Sequence, residues 1–203
     1  MGVKLLYQGH ASVRFTTPQG KVIYVDPFAG EGYDLPADLI LITHSHFDHT
    51  AVEKIRFKNP DCRIVTFKEA LAGGKHNSFE FPFVKVEAVE AGNNRNHSLK
   101  DCVGYILTFT DGKTVYLSGD TSTTAQMEAL RERKLDYAFF CCDGVYNMDL
   151  DEAAKCADTV AASHSVPYHV TPTDTGKIFD EKRVARFNAK NKLVIYPATE
   201  IEL

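Results

Sequence analysis

The sequence predicts a mixed α/β fold in which two rounds of short strands, each followed by helical segments, share one core. Three observations predict it. Short β-rich runs recur in both halves, the apolar run Leu39-Ile40-Leu41-Ile42 reads as a buried strand with polar residues at its end, and helix-like segments follow the strands in each half. The 203 residues are 44% hydrophobic and 25% charged, enough to bury a core as one unit. With no strict repeat, low-complexity tract or linker, residues 1–203 are expected to form a single domain.

In chain order, Val3 to Tyr7, Ser12 to Thr16 and Val22 to Val25 are expected as a meander, with Thr17-Pro18-Gln19-Gly20 as the turn between the last two. Leu39 to Ile42 forms the buried strand. A helix capped by Asp48 or Thr50 is expected to run to about Lys58 and to stop before Pro60. Arg63 to Phe67, Phe83 to Val89, Val103 to Thr110 and Val115 to Leu117 read as strands, the last two joined in a hairpin across Thr110-Asp111-Gly112-Lys113. Thr121 to Arg133 and Leu150 to His164 read as helices on either side of the strand-like Leu135 to Phe140. Val166 to Tyr168 and Leu193 to Tyr196 read as late strands around a helix near Asp180 to Asn188.

The formal net charge of −4 comes from mixed signs without a long basic run, which argues against a nucleic-acid groove or an anionic membrane surface as partner. No stretch approaches the roughly 18 apolar residues of a membrane span, and the N-terminal run is too short for a signal peptide, so a cytoplasmic location is expected. The five cysteines, Cys62, Cys102, Cys141, Cys142 and Cys156, form no CxxC pair and no disulfide framework. They are expected reduced, with Cys141 and Cys142 as small hydrophobes at a strand end.

The chemistry concentrates in Thr43-His44-Ser45-His46-Phe47-Asp48-His49, directly after the buried strand. Three of the chain's eight histidines and one carboxylate fall within six residues, a density that surface histidines do not explain. Neutral imidazoles ligate borderline metals, and alternation lets His44 and His46 point the same way while the stretch stays extended. Asp48 and His49 can approach from another side after the chain turns.

This run resembles the HxHxDH motif of the metallo-β-lactamase superfamily. Gly9-His10-Ala11-Ser12, Val25-Asp26-Pro27-Phe28, the segment from His97 to Tyr105, Leu117-Ser118-Gly119-Asp120-Thr121 and Pro167-Tyr168-His169 follow in the order that superfamily shows. In detail the chain looks most like its small metal-dependent hydrolases related to L-ascorbate-6-phosphate lactonase. The resemblance implies a four-layer αββα sandwich with metals at one edge of two central sheets. It also implies a ligand set: His44, His46 and His97 for one divalent cation, Asp48, His49 and His169 for a second, and Asp120 bridging them. Asp26 resembles the family's outer carboxylate that fixes a ligand histidine's tautomer, and His10 either approaches the site or supports its loop. His76 and His164 match no motif position.

The function implied is hydrolysis of a small ester, lactone or phosphodiester by two cations, zinc first, with manganese or iron also suited to these ligands. Asp48 and Asp120 are the residues expected to take part in the chemistry, Asp48 orienting the attacking water. Asn93, Asn94 and Arg95 before His97, and Tyr146, Asn147 and Met148 after Gly144, are placed to hold a polar or anionic small molecule. Two departures from the family stand out. Ala91-Gly92-Asn93 replaces Ala-Tyr-Asn and is expected to remove an aromatic side chain from a pocket wall, and Cys141-Cys142-Asp143-Gly144 replaces a more apolar run. No added lid domain is expected, hence a fairly open site. The competing classes are a non-catalytic metal-binding protein and a di-iron oxidoreductase, whose relatives carry Glu where His46 stands. A homo-oligomer is compatible with all of these.

Overall fold

The structure, a computed structural model, describes residues 2–203. Among the described residues, twelve strands form two six-stranded sheets. The first runs β12-β1-β2-β3-β4-β5, and the second β11-β10-β9-β8-β7-β6. In the first, β1 (Lys4–Gly9), β2 (Ser12–Thr16) and β3 (Val22–Val25) form the expected antiparallel meander. Beyond β3, β4 (Ala37–Ile42) and β5 (Lys58–Thr66) continue in parallel, and β12 (Thr199–Glu202) closes the other side against β1. The second sheet holds β6 (Ser78–Phe81), β7 (Val84–Glu90), β8 (Val103–Phe109), β9 (Thr114–Leu117), β10 (Tyr137–Cys141) and β11 (His164–Tyr168).

The core follows from the two-residue period of a strand. Ile23, Val25, Leu39 and Leu41 face the second sheet, packed with residues such as Val86, Tyr105, Leu107 and Leu117, and Phe15 meets Phe109 across the gap at 5.3 Å between ring centroids. Their neighbours Val22, Tyr24, Ile40 and Ile42 face outward into a smaller cluster with Tyr33 and Ile55. A strand buried on both faces reads as an uninterrupted apolar run, which is why Leu39-Ile40-Leu41-Ile42 was legible. The sheet pair of the αββα sandwich is therefore formed, with short helical cover. α3 (Leu150–Val160), capped by Asp149 on the Glu152 amide, packs on β10 and on α2 (Gln126–Leu130), α1 (Phe67–Ala70) packs on β5, and α4 (Glu181–Arg186) is capped by Asp180.

Several expected elements differ. The helix expected from Asp48 to Lys58 is replaced by two 3₁₀ turns, Phe47–His49 and Val52–Lys54, and then by β5. Its backbone is tied to the preceding loop, Ala51 N–H to Pro27 O at 2.8 Å and Arg56 N–H to Tyr33 O at 3.2 Å, rather than to its own fourth neighbour. Pro60 does not stop a helix; it lies in β5, an edge strand where its missing N–H costs no ladder bond, beside a shift in register. The helix expected over Thr121 to Arg133 shrinks to α2 because the Thr121 hydroxyl and Ser122 N–H are bound to Gly92 O and the Thr123 N–H to Glu152. α3 ends at Val160, where Ala161 turns left-handed at φ 55°, and His164 already belongs to β11. Leu193 to Tyr196 forms no strand: the isolated bridge to Ser165 of β11 is made by Lys192, with the Leu193 N–H on Ser165 O at 2.9 Å, and the true last strand is β12, after Pro197. β6 was not anticipated. Among the described residues no helix is long and apolar enough to cross a membrane.

Candidate metal centre

Sheet topology brings the chemistry to one edge. β1, β3 and β4 run in one direction in the first sheet, and β7, β9, β10 and β11 share a direction in the second. Each ends in a site segment. His10 follows β1, Asp26 follows β3, His44 to His49 follow β4, His97 lies in the loop after β7, Asp120 follows β9, Asp143 follows β10 and His169 follows β11. Backbone bonds join the sheets at this edge, Val103 N–H to Thr43 O at 3.0 Å and His169 N–H to His10 O at 2.8 Å.

The turns are tight. His10, Asp26 and His169 all adopt left-handed backbone, φ 52°, 45° and 45°, a conformation that non-glycine residues hold only where the surroundings enforce it. Gly119, just before Asp120, has φ +61°, and a Cβ there would lie 2.6 Å from Val103 O. The chain can therefore pass close to β8 and aim Asp120 inward only without a side chain at that position.

The predicted ligands converge. The His44, His46 and His97 ligand atoms lie within 4.8 Å of one another, as do those of His10, Asp48, His49 and His169, and those of His44, His49 and Asp120. Asp120, 3% exposed, sits between the groups: Oδ2 is 3.9 Å from His44 Nε2, 3.5 Å from His97 Nε2 and 3.3 Å from His169 Nε2, and Oδ1 is 3.4 Å from His49 Nε2. His46 is exposed, with Nδ1 3.2 Å from His97 Nε2.

The outer contacts orient these rings. Asp26 Oδ2 accepts from His49 Nδ1 at 2.9 Å and from the Thr43 hydroxyl at 2.6 Å, and Thr43 Oγ1 in turn receives His44 Nδ1 at 3.0 Å. One carboxylate thus turns both Nε2 atoms inward. Asn94 Oδ1 holds the His97 backbone N–H at 2.9 Å and its Nδ1 at 3.3 Å. Asp48 Oδ2 accepts from Thr173 and from His10 Nε2, the latter at 3.1 Å, so His10 lies in the site, its ring centroid 3.6 Å from that of His169.

Electrostatics follow the packing. Burial and the neighbouring His49 push the His44 imidazole well below its ordinary pKa, burial lowers that of His97, and burial with His169 alongside pushes His10 down to about 4. Burial also opposes charge on His49 and His169, but Asp120 outweighs it in both, aided by Asp26 at His49, and holds both pKa values up. For Asp120 the balance reverses: burial favours the neutral acid, yet His169 and His49 hold the carboxyl well below its usual range.

These side chains fit divalent cations. Nε2 of His44, His49 and His169 and Oδ1 of Asp120 are buried without a hydrogen-bond partner, and each such atom left unmatched costs about 1–3 kcal/mol. Neutral imidazole nitrogens and carboxylate oxygens pointed at common centres are the donors that zinc, manganese and iron accept.

Other expected site residues distribute differently. Asn93 is exposed and donates to Thr123 O at 2.6 Å, and Asn94 serves His97. Asn147 Nδ2 donates to Asp120 Oδ2 at 2.8 Å and Asp143 Oδ2 at 2.7 Å. Met148 is fully buried. Tyr146 lines a cavity of about 510 Å³ over the centre together with Phe28, Phe47, Thr173 and Asp174. Arg95 lines a separate depression. Gly92 does not open a pocket wall: at φ +99° a Cβ would lie 2.8 Å from the Ser98 carbonyl, so the position packs against backbone. Cys141 and Cys142 are fully buried, and burial pushes both thiols up, in keeping with small core residues. His164 is exposed, stacked on Tyr137.

Sequence reasoning missed Asp143, Thr43 and Thr173. Asp143 is 1% exposed; its Oδ1 caps the Val145 and Tyr146 amides at 2.8 and 2.7 Å, and its Oδ2 lies 3.6 Å from His169 Nδ1. An Asp-Gly pair directly after a buried strand was the available signal.

Comparison with known proteins agrees with this geometry. The Beta-lactamase superfamily domain matches residues 4–169. A UPF0173 metal-dependent hydrolase of Geobacillus sp. (strain WCH70) is 31% identical over 196 residues, covering 82% of this chain and 85% of the relative. One of Thermococcus onnurineus (strain NA1) is 30% identical over 191 residues, covering 82% and 84%. Among solved structures, a protein of Parabacteroides distasonis ATCC 8503 superposes with a TM-score of 0.75 at 28% identity over 95% of this chain and 92% of that one. A metallo hydrolase of Ignicoccus hospitalis shares the fold with a TM-score of 0.69 at 22% identity over 99% and 98%. Convergent histidines at the shared edge of two sheets, a matching domain over most of the length and relatives of one kind lead to one conclusion: the chain belongs to the metallo-β-lactamase superfamily and is one of its metal-dependent hydrolases.

Proposed function

We propose that this chain hydrolyses a small ester, lactone or phosphodiester with two divalent cations. His44, His46 and His97 would hold one, Asp48, His49 and His169 the other, and Asp120 both. The observation that carries this reading is Asp120, a buried carboxylate with four imidazole nitrogens between 3.3 and 3.9 Å away. Zinc suits the imidazole-rich set, and manganese or iron would also be accepted.

Bound divalent cations supply Lewis acidity and lower the pKa of water from 15.7 towards about 7. The chain's own residues do the rest. His44, His49 and Asp120 present their unpartnered atoms inward, while Asp26 and Asn94 keep the rings from rotating. Asp48 lines the cavity, and His10 and Thr173 hold its Oδ2. Burial works against its charge, but the His10 and Thr173 hydrogen bonds keep its carboxyl below the usual range, so Asp48 stays ionised. It would orient an attacking water by accepting a hydrogen bond rather than by storing the proton.

The test is metal content of chelator-free protein together with assay of lactones, thioesters and phosphodiesters, with and without added zinc or manganese, for the native chain and Asp120→Ala. About two metals per chain with activity abolished in the variant is the expected result. Protein that takes up no metal and stays inactive after reconstitution would overturn the reading in favour of another role.

A further inference from the structure

Apart from the proposed ligands, the cavity over the centre is lined by three aromatic side chains together with Thr173 and Asp174. Phe28, Phe47 and Tyr146 wall it. Phe47, placed between His46 and Asp48, is 71% exposed and meets Phe28 edge-on at 5.8 Å between centroids, and Phe28 meets the His10 ring edge-on at 5.6 Å. Tyr146 is 38% exposed on the loop that Asp143 caps. An aromatic pair standing open beside reactive groups is a surface that a ligand covers.

Charge points the same way. Apart from Asp48 and Asp120, whose charge the two divalent cations would offset, the acidic lining residue is Asp174, and among the described residues no lysine or arginine lines the cavity. Arg95 lines a depression of about 280 Å³ that shares only His46 and His97 with it. A carboxylate or phosphate on the part of a substrate flanking the scissile bond would therefore meet aromatic faces and Asp174, without a side-chain cation to pair it.

Resting on the hydrolytic reading above, we propose that the substrate is a neutral carboxylic ester or lactone bearing an aromatic or aliphatic group that lies against Phe28, Phe47 and Tyr146. The acyl carbon–oxygen bond breaks, the oxygen of water takes its place on the acyl carbon, and a proton from that water goes to the departing alkoxide. The products are one carboxylic acid and one alcohol, joined in a single molecule for a lactone.

The zinc-reconstituted full chain tests this with phenyl butyrate, phenyl hemisuccinate, which differs by a terminal carboxylate, and bis(4-nitrophenyl) phosphate. The expected kcat/KM for phenyl butyrate is about tenfold or more above that for the hemisuccinate. Phe47→Ala, at an exposed position where folding is not at stake, should raise KM for phenyl butyrate about tenfold more than it lowers kcat, with metal content retained. Asp174→Lys should narrow the gap between the two phenyl esters. Equal or better use of the hemisuccinate, or a KM unmoved by Phe47→Ala, overturns the proposal. Turnover of the phosphodiester alone overturns it and leaves the hydrolytic reading standing, whereas no turnover of any probe with about two zinc ions bound overturns both.

Discussion

Asp26 and His49 are joined by a 2.9 Å hydrogen bond from Nδ1 to Oδ2, and that bond aims His49 Nε2 at Asp120, 3.4 Å from its Oδ1. The same Asp26 oxygen takes the Thr43 hydroxyl that receives His44 Nδ1. Two inward-facing imidazoles from different turns of the loop thus depend on one carboxylate, whose other oxygen accepts the Thr43 backbone N–H at 2.8 Å.

Asp26→Asn keeps an oxygen for the Thr43 amide but loses the charge that fixes both tautomers. Metal affinity, read by competition with a chromophoric chelator, should fall by about 10–100-fold. Unchanged affinity would show that the rings are held by packing alone.

Metal binding should stabilise the fold, because the inward-facing atoms of His44, His49 and Asp120 lack partners otherwise. Zinc at about 100 times its dissociation constant should add about 2.7 kcal/mol to unfolding, seen as a rise in Tm that a chelator reverses. Asp120→Ala, which removes the shared ligand, should abolish most of that rise.

Gly119→Ala places a Cβ 2.6 Å from Val103 O at a left-handed position, and should cost about 1–3 kcal/mol or more in urea unfolding. Gly112→Ala is the comparison: its φ is +89° and nothing lies within 4 Å of the added atom. It should cost only the backbone strain, about 1 kcal/mol. Equal losses would mean that the approach of Gly119 to β8 is not a constraint.

Acid should weaken the first sheet through Asp38. Burial disfavours its charge, but Lys21 at 2.9 Å, the Val22 N–H at 2.9 Å and Asn59 at 2.9 Å outweigh it, so its folded pKa lies below the unfolded value. The stabilisation is complete above the unfolded pKa of about 3.9 and is lost as pH falls through the folded one. The native chain should therefore lose more stability than Asp38→Asn between about pH 5 and pH 3 in urea titrations. Parallel curves for the two would remove Asp38 from the acid response.

The sequence by itself determined the strands buried on both faces and the histidine cluster around which the candidate metal centre is built. The apolar run Leu39 to Ile42 became a strand buried on both faces, and the cluster His44, His46 and His49 converged with His97, Asp120 and His169, positions that the family resemblance supplied. Both signals are local, carried by residue type and period. Tertiary structure alone decided the rest. The segment 48–58 carries helix signals, yet its amides are taken by Pro27 O and Tyr33 O, groups distant in sequence. β12 is a strand only because β1 offers it an edge, and Thr199-Glu200-Ile201-Glu202 carries too little apolar pattern to announce it. Likewise Asn94, Asn147 and Tyr146 share loops near the centre but serve His97, Asp120 and the cavity wall respectively. A loop side chain's role depends on which atom of another strand end lies within hydrogen-bond reach, and no local pattern encodes that.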